Sequence, residues 1–113
     1  MQQFLFRVLR LKKYTFSVKA ALLIGMITDK KNIIPQLAMH KPVIFYLGCG
    51  TFKPQPHWIG VDMLNTAAAY IVGDVYEVMK ALPDNCADEI HASHFFEHLP
   101  DIPALLIELS RIL

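Results

Sequence analysis

Residues 47–50 read Leu47-Gly48-Cys49-Gly50 and close an unbroken apolar run, Val43, Ile44, Phe45, Tyr46 and Leu47. Glycines at such a point let backbone N–H groups approach a ligand with no Cβ in the way. Further along, Trp58-Ile59-Gly60-Val61 ends on Asp62, and Tyr70-Ile71-Val72 is closed by Gly73-Asp74. An aspartate ending the second strand can accept two hydrogen bonds from ribose hydroxyls. An acid one strand further on can accept from an adenine amino group. Each piece alone is common; the ordered set points to a nucleoside cofactor beyond the carboxyl ends of parallel strands.

Ser93, His94, Glu97 and His98 form the second cluster of chemically useful residues. His94 is the first candidate for a general base, because imidazole titrates near neutrality. Glu97 and His98 come next. His94-x-x-Glu97-His98 also has the spacing of inverted zinc peptidases. Pro100 follows at once and opposes the long helix that would let both imidazoles share a metal, so no metal site is expected. Cys49 reads as a small packed side chain rather than a nucleophile, since no base is placed near it.

These residues need elements to hold them. Residues 43–47 fit a strand buried on both faces, residues 58–62 and 70–72 two further strands, and residues 88–93 a weaker fourth. Residues 75–82 form a short helix stopped by Pro83. Residues 103–113 form another, with Asp101 as cap and Pro103 in its first turn. Strands alternating with helices argue for a parallel α/β sheet. Residues 3–27 read as an amphipathic helix, with Phe4, Val8 and Leu11 on one side and Arg7, Arg10 and Lys13 on the other. A short helix over 30–39 is weakened by Pro35 unless that residue lies in its first turn. The chain thus divides into a basic helical segment, 1–40, and an α/β part, 41–113.

Composition bounds the rest. A chain of 113 residues with 54% hydrophobic and 19% charged residues is one packed domain at most. A net charge of +1 gives no bulk argument for nucleic acid. Two cysteines without CxxC spacing suggest neither a disulfide framework nor a zinc knuckle, and fit a reducing cytoplasm. The apolar stretch at residues 20–27 is far short of the roughly 18 residues of a membrane span.

The motifs Leu47-Gly48-Cys49-Gly50-Thr51, Gly60-Val61-Asp62, Gly73-Asp74, Leu82-Pro83-Asp84-Asn85, Glu97-His98-Leu99 and Arg111-Ile112-Leu113 occur in the order of a known family. Over roughly residues 42–113 the chain resembles the class I, type-11-like S-adenosylmethionine-dependent methyltransferases. The resemblance implies a Rossmann-like parallel sheet of about four strands, order 3-2-1-4, with flanking helices. It implies S-adenosyl-L-methionine as cofactor, with Gly48, Cys49 and Gly50 along its methionine part, Asp62 on the ribose, Asp74 near the adenine and Ser93 beside the transfer site. His94 would then serve catalysis at that site. The methyl acceptor, a small molecule or a glycan- or lipid-linked one, is left open.

The chain departs from the family in two places. Only residues 51–57 separate the glycine loop from the second strand, and Pro54 and Pro56 oppose a helix there. A loop crossover is expected, with polarity supplied by loop amides alone. The family also continues past Arg-x-Leu into a fifth strand, whereas this chain stops at Leu113. The expectation is a truncated product whose fourth-strand edge is unpaired and open to self-association or a partner. For the basic start, packing on the sheet is favoured over contact with an anionic membrane surface or a partner. The rival to the enzyme is a non-catalytic, incomplete Rossmann-like module that acts by association. A nicotinamide-dependent dehydrogenase is disfavoured, because the third glycine and the helix behind it are missing.

Overall fold

The structure is a computed structural model that describes residues 27–113 and, as backbone, residues 3–7. Among the described residues the strands are β1 (Gln3–Arg7), β2 (Thr28–Asp29), β3 (Ile44–Leu47), β4 (Ile59–Asp62), β5 (Ala69–Val72) and β6 (Glu89–Ser93). Two α-helices follow β5 and β6: α1 (Val75–Ala81) and α2 (Ile102–Ile112). The strands form one sheet in the order β1-β6-β3-β4-β5-β2. Its centre, β5-β4-β3-β6, is parallel throughout and has the 3-2-1-4 order of a Rossmann-like fold.

Both ends of the sheet depart from expectation. The edge of β6 is not open: β1 pairs with it antiparallel, from Gln3 opposite Ser93 to Arg7 opposite Glu89. Gln3–Arg7, read from periodicity as the start of a helix, is therefore a strand. The rest of that expected helix up to residue 26 lies outside the described residues. At the other edge Thr28 and Asp29 pair antiparallel with β5. The short helix expected over 30–39 is a 3-10 segment, Ile34–Met39, with Pro35 in its first turn. Both oxygens of Asp29 anchor its start, accepting from Ile33 N and Ile34 N at 2.8 Å each.

The strands are buried because apolar side chains leave both pleated faces. Phe45, Leu47, Val61, Ile71, Ile90 and Ala92 point to one side and form the main core with Val78, Met79, Leu105 and Leu109 of the two helices. Tyr46, Cys49, Ala68 and Ala69 form a smaller cluster, against which Trp58 and Val72 pack. Among the described residues the α-helices thus cover one face. The crossovers β3–β4 and β4–β5 are loops, residues 48–58 and 63–68. Four-residue strands make this feasible: each is about 13 Å long, and six extended residues reach about 20 Å. The second loop lies so close to β4 that a Cβ on Gly60 would overlap the carbonyl oxygen of Ala68 and come within 2.9 Å of Cys49 Sγ.

The two helices are joined through Arg111. Its guanidinium donates to Met79 O at 2.6 Å and Leu82 O at 2.8 Å, at the end of α1. It also pairs with Asp84 at 2.6 Å and Glu108 at 3.0 Å. Asp101 caps α2 by accepting from Ala104 N at 3.1 Å, with Pro103 in the first turn as expected.

Candidate functional site

A cavity of about 260 Å³ opens at the carboxyl ends of β3, β4 and β5, where open parallel sheets bind ligands. Its wall includes Gly48, Asp62, Asp74 and His94, four of the residues singled out by motif. Cys49, Gly50 and Ser93 are not on that wall. Cys49 turns into the smaller core cluster instead, and burial, followed by the charge of Asp62, pushes its thiol up to about 11. It is a packed side chain and not a thiolate at neutral pH.

The glycine loop is held by β4. Gly48 N and Cys49 N both donate to Val61 O, at 2.8 and 3.3 Å, and Gly50 N donates to Asp62 Oδ2 at 2.8 Å. This corrects the expectation that loop amides supply the polarity of the site: these three amides are spent inside the fold. The polarity on the cavity wall comes from side chains, the carboxylates of Asp62 and Asp74 and the imidazoles of His94 and His98. Asp62 Oδ1 accepts from Leu64 N at 2.8 Å, so each oxygen of Asp62 holds one loop and keeps a second acceptor position. The hydroxyl of Thr66 donates to Gly50 O and closes the link between the two loops.

Asp74 has a structural duty as well. It caps α1, its Oδ1 accepting from Tyr76 N at 2.9 Å, and its exposed side chain borders the cavity. Tyr76 in turn ties down the segment before α2, because its hydroxyl donates to Asp101 O at 2.8 Å and accepts from Asp101 N at 3.0 Å.

Beyond β6, His94 adopts a left-handed backbone with φ of 52°. A residue with a side chain is uncommon there, and such conformations cluster at functional sites. This turn sends Phe95 across the cavity onto Gly48. A Cβ on Gly48, itself at φ 66°, would overlap Cδ1 of Phe95 and come within 2.7 Å of Cγ. Glu97 lies between two imidazoles, with Oε1 at 3.5 Å from His94 Nδ1 and 3.8 Å from His98 Nε2. Both histidines line the cavity and both are exposed. Phe96–His98 is a single 3-10 turn, so the two do not share a helix face. Among the described residues no group of three or more His, Cys, Asp or Glu is arranged to hold a metal.

Motif reasoning missed Met63, Phe95 and Leu99 as wall residues. The position of Met63 next to Asp62 was the available signal. Phe95 reaches the wall only through the left-handed turn at His94, which no spacing rule announces.

The donor set suits a nucleoside. Asp62 and Asp74 share one wall and offer acceptors to hydroxyl and amino donors, while the position a Gly48 Cβ would take is filled by the Phe95 ring. The cavity is near the lower end of ligand-pocket sizes, about 300–1,000 Å³, because Phe95 occupies the end next to Gly48. Among the described residues no helix is long and apolar enough to cross a membrane.

Comparison with known proteins gives the same direction. No curated protein and no solved structure matches the chain. The family described as Methyltransferase domain matches residues 51–113, a segment that starts just after Gly50 and carries Asp62, Asp74, His94 and the Glu97-His98-Leu99 motif. With that match over more than half of its length, on a Rossmann-like parallel sheet, the chain belongs to the class I S-adenosylmethionine-dependent methyltransferase family.

Proposed function

We propose that the protein binds S-adenosylmethionine in the cavity between Gly48, Asp62, Asp74 and His94 and transfers its methyl group to an acceptor on the His94 side. The observation that carries this reading is the double anchoring of Asp62. Fixed by Gly50 N and Leu64 N, its carboxylate is held in place with acceptor capacity directed at the cavity. A ribose diol is the donor pair that such a carboxylate suits.

When bound, the cofactor supplies a methyl group already activated on a sulfonium. The chain's own residues then have few tasks. Asp62 orients the ribose, and Asp74 accepts from the adenine end. Gly48 permits close approach of the methionine portion once the Phe95 ring gives way. His94 takes a proton from a hydroxyl or amine acceptor, with Glu97 at 3.5 Å holding the imidazole. Cytoplasmic residence is part of the same proposal.

The test is calorimetric titration with S-adenosylhomocysteine, with NAD as the control ligand. Saturable binding of the first alone is expected. Absence of heat with folded protein at millimolar S-adenosylhomocysteine sinks the reading.

A further inference from the structure

Charge is segregated along this chain far more sharply than the net value of +1 suggests. Residues 1–61 carry nine Lys and Arg against one acid, Asp29. Residues 62–113 carry two, Lys80 and Arg111, against nine acids. Such asymmetry between halves is the electrostatic mark of contact with an anionic partner. The fold brings part of the basic half beside the loop that follows β4 and part to the start of β4 and β5. Lys30 Nζ donates to Asn65 Oδ1 at 2.9 Å and to Thr66 O at 2.7 Å, which puts its ammonium on the loop after Asp62. Lys53 Nζ donates to Trp58 O at 3.0 Å and Pro56 O at 3.3 Å and sits 3.1 Å from the centre of the Tyr70 ring, with Lys31 Nζ 5.3 Å from the same centre. No carboxylate lies within ion-pair distance of these three among the described residues.

Apolar side chains stand out of the same region. Phe52 is 65% exposed, Met63 70% and Leu64 67%. Phe52 follows the glycine loop and the other two follow Asp62, and the two loops are bonded together through Gly50, Asp62 and Thr66. Met63 is also part of the cavity wall. Exposed large apolar residues beside unneutralised lysines are the composition of a surface that enters the headgroup layer of an anionic bilayer. Nucleic acid would use the cations but would gain little from Leu64 and Met63.

We propose that the loop surface carrying Phe52, Met63 and Leu64, together with Lys30, Lys31 and Lys53, docks the protein on an anionic lipid surface. The docking goes beyond the methyl-transfer reading and does not require it. The lysines supply long-range attraction, screened within about 8–10 Å at ordinary ionic strength. The apolar tips then bury in the acyl boundary.

The experiment is co-sedimentation of the full chain with phosphatidylcholine vesicles, with and without phosphatidylglycerol, across a salt series. The expected result is binding to the anionic vesicles only, released by salt. The double variant Phe52→Ser/Leu64→Ser and, separately, Lys31→Glu should each weaken it by about fivefold or more. These side chains are exposed and off the cavity wall, so thermal unfolding and S-adenosylhomocysteine titration should match the parent. Binding equal on neutral and anionic vesicles overturns the proposal. So does binding unchanged in both variants, which would assign the contact to the basic N-terminal residues. Salt-sensitive binding to duplex DNA without vesicle binding overturns it in favour of nucleic acid. Loss of vesicle binding with intact S-adenosylhomocysteine binding leaves the cofactor reading standing, and the converse leaves the docking standing.

Discussion

The backbone amide of Gly50 donates to Asp62 Oδ2 at 2.8 Å, joining the glycine loop to the acid that faces the cavity. One carboxylate therefore does two things: it pins the loops after β3 and β4, and it presents acceptors to a ligand. An Asp62→Asn variant keeps the shape but turns one acceptor into a donor that faces a backbone N–H. It should lose about 1–3 kcal/mol of stability in urea denaturation. It should also bind S-adenosylhomocysteine at least about tenfold more weakly, since a ribose hydroxyl loses its charged partner. Unaltered affinity in a folded Asp62→Asn protein would separate the carboxylate from the ligand.

Much of this is legible in the sequence. The parallel centre of the sheet follows from apolar runs ending in Gly48, Asp62 and Gly73, which are too short for helices and apolar on both faces. The loop crossover followed from Pro54 and Pro56. What local pattern could not reveal was pairing. Gln3–Arg7 carries Phe4, Leu5 and Phe6 in a row, a run compatible with helix or strand, and the open edge of β6 decides for strand. The same holds for Phe95 on Gly48 and for the loop amides consumed by Val61 and Asp62. Each is a contact between distant residues, and each changes what the glycine loop offers a ligand.

Arg111 gives a prediction about stability alone. Its planar fork reaches Met79 O, Leu82 O, Asp84 and Glu108 together, adding a second donor to Met79 O, which also accepts from Leu82 N, and bonding Leu82 O just past α1. Arg111→Ala should cost about 2–3 kcal/mol. Arg111→Lys should recover less than half of that, because an ammonium cannot serve carbonyls and carboxylates in that spread. Equal midpoints for the lysine variant and the parent in urea would refute the role of the fork.

Cys49 gives a prediction about pH. Burial raises its thiol to about 11 from an ordinary 9.0, so the folded state favours the protonated form. The associated stability is complete below pH 9 and declines as pH climbs toward 11, where the unfolded chain releases the proton and the folded chain still holds it. Tyr70 is shifted the opposite way, lowered chiefly by its hydrogen bond with Lys53, and works against this trend. The comparison that isolates the thiol is therefore between the parent and Cys49→Ala. Between pH 8 and pH 10.5 the parent should lose more in Tm than the variant. Parallel Tm curves would show that the thiol contributes nothing to alkaline instability.

His94 separates backbone from side chain. At φ 52° an L-residue costs about 1–2 kcal/mol relative to a right-handed position, and glycine has no such penalty. The loss is partly offset in a glycine variant by the greater freedom of its unfolded chain. His94→Gly should thus be about as stable as the parent or slightly more so, whereas His94→Ala keeps the penalty and loses the contact with Glu97. The alanine variant should unfold at lower urea than the glycine variant, by about 1 kcal/mol. Both should keep S-adenosylhomocysteine affinity within about threefold, a change of at most about 0.65 kcal/mol, because the imidazole is assigned to the acceptor. A glycine variant weaker than the alanine one would contradict the left-handed turn that sends Phe95 onto Gly48. A collapse of cofactor-product binding in both would move His94 from the acceptor side to the cofactor itself.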